Sequence, residues 1–148
     1  MFKIINSIII LLLPVIPKSL IRIFARQYVA GTTIEESLAI VKNLNNKNLC
    51  TTIDILGEHT KNINEANKIT NNYVALLENI NKNDLNCNLS IKPSHIGTDI
   101  SNDLFNDNLN KILNIAIINN NFIRIDMENS SLTDISLNTH NSINSKNL

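Results

Sequence analysis

Tryptophan is absent from this chain, and aromatic residues together make up only 4% of it. That leaves too few flat side chains for a stacking platform on single-stranded nucleic acid. An excess of one charge is also missing. The 13 Lys and Arg balance 13 Asp and Glu, the formal net charge is +0, and no basic run occurs. A polyanion-binding surface is not expected, and with it no nucleic-acid partner. The two cysteines, Cys50 and Cys87, lie far apart near the starts of candidate strands and match neither metal nor redox spacing. They read as small core residues in a reducing compartment rather than as a disulfide. His59, His95 and His140 likewise lack ligand spacing, so each reads as a surface or loop residue and no metal is expected.

Asparagine and isoleucine dominate what is present. The 148 residues are 43% hydrophobic and 18% charged, enough for one domain with a core. Asn-rich text is compatible with disorder, but here the apolar residues keep a regular period inside it. Residues 1–30 form an apolar and then amphipathic segment. Ile8 to Leu13 make an unbroken apolar run, interrupted by Pro14 and Pro17. The run is short against the ~20 residues a bilayer requires, and no small-x-small cleavage site follows it. Lys18, Arg22 and Arg26 then alternate with Leu20, Ile21, Ile23 and Phe24. Three readings stand: a docking segment ahead of the domain, an interfacial or anchoring helix, and a signal peptide.

Beyond Gly31, Thr33-x-x-Glu36 fits a capping box for a helix with Ile34, Leu38, Val41 and Leu44 on one face. Cys50 to Glu58 reads as a strand stopped at Gly57. From about Asn64 a helix places Ile69, Tyr73, Leu76, Leu77 and Ile80 at helical spacing. Cys87 to Lys92 reads as a second strand, stopped by Pro93. Ser101 or Asn102 then caps a helix with Leu104, Leu109, Ile112, Leu113 and Ala116. The third strand is Phe122-Ile123-Arg124-Ile125-Asp126-Met127-Glu128. Alternation puts Phe122, Arg124, Asp126 and Glu128 on one side, and Ile123, Ile125 and Met127 on the other. By itself that strand fits either a solvated face or a ligand site. Leu132 to Leu137 begins a further helix, with Ser131 or Thr133 as its cap, and residues 139–148 read as a disordered polar tail.

The strand starts fall roughly 35 residues apart with a helix between each pair. That spacing suits a βαβ series with a parallel sheet. Parallel strands are normally covered on both faces, so charges on them need a partner or a ligand. Asp54, Lys92 and Asp126 each stand near the C-terminal end of a strand, the edge where α/β folds bind ligands. The ligand-site reading of the third strand gains by this.

Several segments in order resemble the monofunctional bacterial proline dehydrogenases. They are Pro14-Val15-Ile16-Pro17, Tyr28 to Glu36, Ile53-Asp54-Ile55-Leu56-Gly57-Glu58, Leu89-Ser90-Ile91-Lys92 and Phe122 to Glu128. The last, with Ser130-Ser131 and Thr133-Asp134, is the most specific. The resemblance implies a (β/α)8 barrel that holds FAD at the C-terminal ends of its strands. It implies oxidation of L-proline to 1-pyrroline-5-carboxylate, with electrons passing to a membrane quinone. By the same resemblance Lys92 would pair with the substrate carboxylate, and Asp126 would be the carboxylate at the reacting end. Met127 would lie against the flavin. A cytoplasmic protein with peripheral contact at the inner membrane is implied. Residues 31–138 match only the N-terminal half of that domain, about three of its βα units, in a chain read as truncated. The alternative is an inactive fragment serving as a binding or half-barrel module that needs a second part.

Overall fold

A computed structural model describes residue 17 and residues 29–146. The apolar and amphipathic run of residues 1–30, with its three readings, lies almost wholly outside the described residues. The chain divides into two units, residues 1–40 and 41–148. In the first, Glu36 N–H donates to Thr33 Oγ1 at 3.2 Å, and Glu36 Oε2 accepts the Thr32 N–H at 2.7 Å. This is the expected capping box with its return arm displaced by one residue. It opens helix α1, Ile34–Asn45, whose first turn carries Glu35 and Glu36 and whose last carries Lys42. Those charges suit the ends of a helix dipole. Of the expected stripe on α1, Val41 is buried.

In the second unit the chain runs β1 (Thr51–Asp54), α2 (Ile63–Lys82), β2 (Cys87–Ile91), α3 (Asn102–Ile118), β3 (Ile123–Ile125) and α4 (Thr133–Lys146). The three strands are parallel in the order β1-β2-β3, as the spacing predicts. Register partners share a face. Ile53 pairs with Leu89, which pairs with Ile123; Asp54 pairs with Ser90, which pairs with Arg124. The sheet therefore has an apolar face and a polar one. On the polar face Thr52 Oγ1 meets Asn88 Oδ1 at 2.9 Å, and the Ser90 hydroxyl donates to Asp126 Oδ1. These are three βα units built as in a (β/α)8 barrel, in which one face of the sheet turns inward.

Helix α2 packs on β2 and on α3. The whole stripe expected on it, Ile69, Tyr73, Leu76, Leu77 and Ile80, is buried. Asn62 caps it, accepting from the N–H groups of Asn64 and Glu65. Ser101 caps α3. Leu109, Ile112 and Ala116 are buried on α3 as expected, and Phe105 and Asn108 join them. Asn108 is tolerated there because its Nδ2 donates to Ile96 O at 3.0 Å. Each fully buried Leu, Ile or Phe contributes ~1.5–3 kcal/mol of transfer free energy.

Several expectations change, among them the third strand, which covers only Ile123–Ile125 of the expected Phe122–Glu128. Strand β1 stops at Asp54 rather than running to Glu58, because the following loop leaves the sheet through Gly57 at φ +145° and His59 at φ +56°. Cys87 is buried but Cys50 is exposed, being outside the ladder and next to the Asn86 amide at 3.1 Å. The stretch read as a polar tail is helical as far as Lys146. There, small polar side chains bond to the helix's own carbonyls, as Ser136 Oγ does to Leu132 O and Ser142 Oγ to Thr139 O. A helix built from such small polar residues carries little apolar period to read. Among the described residues no helix is long and apolar enough to cross a membrane.

Candidate active site

Parallel strands deliver successive strand ends to one rim, and here that rim is charged. Lys92 follows β2 directly. Its Nζ lies 3.9 Å from Asp54 Oδ2 at the end of β1, and 3.8 Å from Glu58 Oε2 in the loop beyond. The Lys92 side chain is 24% exposed, so the pairing is partly shielded from water. Tyr73, fully buried on α2, donates its hydroxyl to Asp54 Oδ1 at 3.2 Å. Burial raises the Asp54 carboxyl above its ordinary value, against the pull of Lys92 and of the Tyr73 bond. Burial and the Asp54 charge push the Tyr73 phenol far up, which keeps it a donor. Asp126 follows β3. Its N–H donates to Ile91 O at 2.9 Å, continuing the ladder, and its carboxylate accepts the Ser90 hydroxyl.

A second layer of contacts ties the loops together. The Ser94 N–H donates to Glu128 Oε2 at 2.8 Å, and the Ser94 hydroxyl donates to Glu128 Oε1. His59 Nδ1 lies 2.9 Å from Asp99 Oδ2, and that bond raises the exposed imidazole's affinity for a proton. Together Glu58, His59, Lys92, Asp126, Met127, Glu128 and Asn129 line a hollow of about 500 Å3. Met127 is the one apolar residue among them and is 56% exposed.

His95 lies in a turn, within the surface-or-loop expectation, but is buried there. The turn Pro93–His95 folds it beneath Gly57, where it is 5% exposed and its Nδ1 has no hydrogen-bond partner among the described residues. Burial lowers its affinity for a proton, with Asp54, Glu65 and Glu128 opposing and Lys92 assisting. The unfolded state therefore binds more protons, and His95 subtracts stability as pH falls below its unfolded value of 6.5. His59 acts with the opposite sign, since its folded value is raised. Urea unfolding at pH 7.5 and pH 5.5 should thus show a smaller loss on acidification in His95→Gln than in the native chain. An equal loss in both would remove His95 as a contributor.

A family model described as proline dehydrogenase matches residues 37–148. The chain belongs to the proline dehydrogenase family. Proline dehydrogenase 1 of Bacillus subtilis (strain 168) is 40% identical over 110 residues, which are 74% of this chain and 36% of that protein. Proline dehydrogenase 2 of Bacillus subtilis subsp. natto is 32% identical over 107 residues, 72% of this chain and 35% of that protein. The chain thus spans about a third of the length of the curated relatives it matches. Among solved structures, proline utilization A (PutA) from Bdellovibrio bacteriovorus, inactivated by N-propargylglycine, aligns with a TM-score of 0.69 at 22% identity. The alignment covers 76% of this chain and 14% of that one, and it shows a shared fold.

The three rim residues singled out in the sequence, Lys92, Asp126 and Met127, all line the same hollow. Asp54 stands behind Lys92 as its partner. Sequence reading missed the roles of Tyr73, Ser90 and Ser94. Tyr73 carries the signal of a core residue on a helical stripe, and nothing local says that its hydroxyl reaches a strand end 19 positions away. Ser90 had a weak signal, since it shares the strand face of Lys92 two positions on. Ser94 follows a strand-ending proline and reads as a turn residue, yet it is completely buried.

Proposed function

We propose that these three βα units form part of an FAD-dependent proline dehydrogenase that oxidises L-proline to 1-pyrroline-5-carboxylate, the first step of proline degradation. The observation that carries this reading is the Lys92 ammonium, held 3.9 Å from Asp54 and 3.8 Å from Glu58 on the wall of a hollow that Met127 also lines. A compact cation fixed in a partly shielded hollow suits a substrate carboxylate. The residues fit a flavin in part. Met127 offers an apolar surface in a lining that is otherwise polar, and it is the residue that would hold the ring system.

The reaction removes a hydride from the ring CH2 carbon bonded to nitrogen, not from the carboxylate-bearing carbon, and from that nitrogen a proton, which is released to water. A bound flavin supplies the hydride acceptor. The chain's own residues bind and orient. Lys92 pairs with the proline carboxylate, and Asp54 and Glu58 hold Lys92 while Tyr73 holds Asp54. Asp126, tied down by Ser90, sits at the reacting end and sets the local charge. Electrons would pass on to a quinone, which places a cytoplasmic protein at the inner membrane by peripheral contact.

The reading requires further βα units to close the barrel, from this polypeptide or from another. The alternative reading is a non-catalytic half-barrel module that pairs with a separate part. Purified chain titrated with FAD, then given proline and an artificial quinone, separates the two. Flavin retention with proline-dependent quinone reduction supports the enzyme. Neither retention nor reduction leaves the module.

A further inference from the structure

Ser94 has no polar group left over. Its N–H and its hydroxyl both donate to the Glu128 carboxylate. The same hydroxyl oxygen accepts the His59 N–H at 3.0 Å, and its carbonyl accepts the Thr60 N–H at 3.1 Å. The side chain is 0% exposed. It stands two residues past Lys92, in the turn that leaves β2. One serine in the turn just past the middle strand therefore grips both neighbouring loops. The loop after β1 carries Glu58, the partner of Lys92. The segment after β3 carries Asp126 and Met127.

The grip is placed where the backbone needs it. His59 has φ +56°, a conformation that costs a residue with a Cβ and persists where surrounding bonds hold it. Its N–H is held by Ser94. A hydroxyl that donates to a carboxylate also becomes a better acceptor, so the Glu128 bond strengthens the His59 bond through the shared oxygen.

We propose that Ser94 is the positioning residue of this rim. By bridging Glu128 and the His59 amide, it sets the separation between the Lys92–Glu58 wall and the Met127 wall. What those two walls hold rests on the functional reading above; the bridge itself does not.

The test uses the full chain and reads two signals. One is amide hydrogen exchange at His59. The other is the 13C-methyl resonance of Met127, readily assigned because the chain has 2 methionines. Ser94→Ala is expected to speed His59 exchange by about tenfold or more and to shift or broaden the Met127 signal. Ser94→Thr keeps the hydroxyl and should restore both. Glu128→Gln replaces one acceptor by an NH2 group that opposes a Ser94 donor. It should also speed exchange at His59, although Glu128 bonds to Ser94 and not to the His59 amide. Ordinary packing around Ser94 would not move that signal.

Native protection of His59 in Glu128→Gln would overturn the proposal, as would an unmoved Met127 in Ser94→Ala. Where Ser94→Ala does not fold, Glu128→Gln decides on both signals, because that side chain is only half-buried. A separate FAD titration of the unaltered chain keeps the two ideas apart. Absence of flavin binding removes the functional reading and leaves the exchange results to judge Ser94.

Discussion

Lys92→Met is expected to raise the proline concentration needed for half-saturation roughly a hundredfold in protein that turns over proline. Methionine keeps most of the side chain's volume and removes the charge. The loss then has two parts. The substrate carboxylate forfeits its counter-ion in a site partly shielded from water. Asp54 and Glu58, now 3.8–3.9 Å from an apolar tip, repel that carboxylate instead. Burial already raises the Asp54 carboxyl. Without Lys92 the rise should be larger, and part of the repulsion should fade at low pH as Asp54 takes up a proton. Lys92→Arg keeps the charge but swaps a point donor for a planar fork, so it should recover part of the loss. Steady-state kinetics against proline, with urea unfolding as the control for folding, measures this. Unaltered saturation in Lys92→Met, in protein with native stability, would remove Lys92 from the substrate site.

Gly57→Ala should be strongly disruptive for so small a change, costing about 2–4 kcal/mol of stability. Two effects add. The backbone there has φ +145°, where a residue with a Cβ is strained. A Cβ built at Gly57 would also lie 2.3 Å from His95 Nε2 and 2.7 Å from its Cε1. The imidazole has little freedom to retreat, being 5% exposed beneath that loop. The double substitution Gly57→Ala, His95→Ala removes the clash and keeps the backbone strain, so it should recover about half of the penalty relative to His95→Ala alone. Urea midpoints at constant slope give both numbers. A native midpoint in Gly57→Ala would mean that the loop repacks freely. In that case Glu58 would not be a fixed partner for Lys92.

Both predictions concern one rim, and its parts differ in how far the sequence revealed them. Lys92 and Asp126 were legible because each stands at the C-terminal end of a strand, whereas Met127 came only from the family resemblance, since strand alternation put it on the face opposite Asp126. The buried stripe of α2 was legible because five apolar positions repeat at helical spacing. Phe105 and Asn108 were not. Asn108 carries no apolar signal, and what permits its burial is a bond to the carbonyl of Ile96, in the turn region before the helix. The burial of His95 was hidden for a similar reason, since a lone histidine after Pro93 gives no local sign of the Gly57 loop that covers it. The helix through Lys146 was hidden because its small polar side chains bond to their own backbone instead of contributing an apolar face.

The sequence by itself determined the order of elements, the parallel sheet, the family resemblance and the three strand ends that carry Asp54, Lys92 and Asp126. All but the resemblance follow from period and spacing, which are local properties of the text; the resemblance rests on the quoted segments themselves, taken in order. The tertiary structure alone decided which groups meet across it. The hydroxyl of Tyr73 reaches Asp54, Ser94 joins the loop of His59 to Glu128, and His95 lies under Gly57. Each of these depends on side chains whose burial and bonding partners lie 19 to 38 residues away, and no periodicity in the chain encodes such distances.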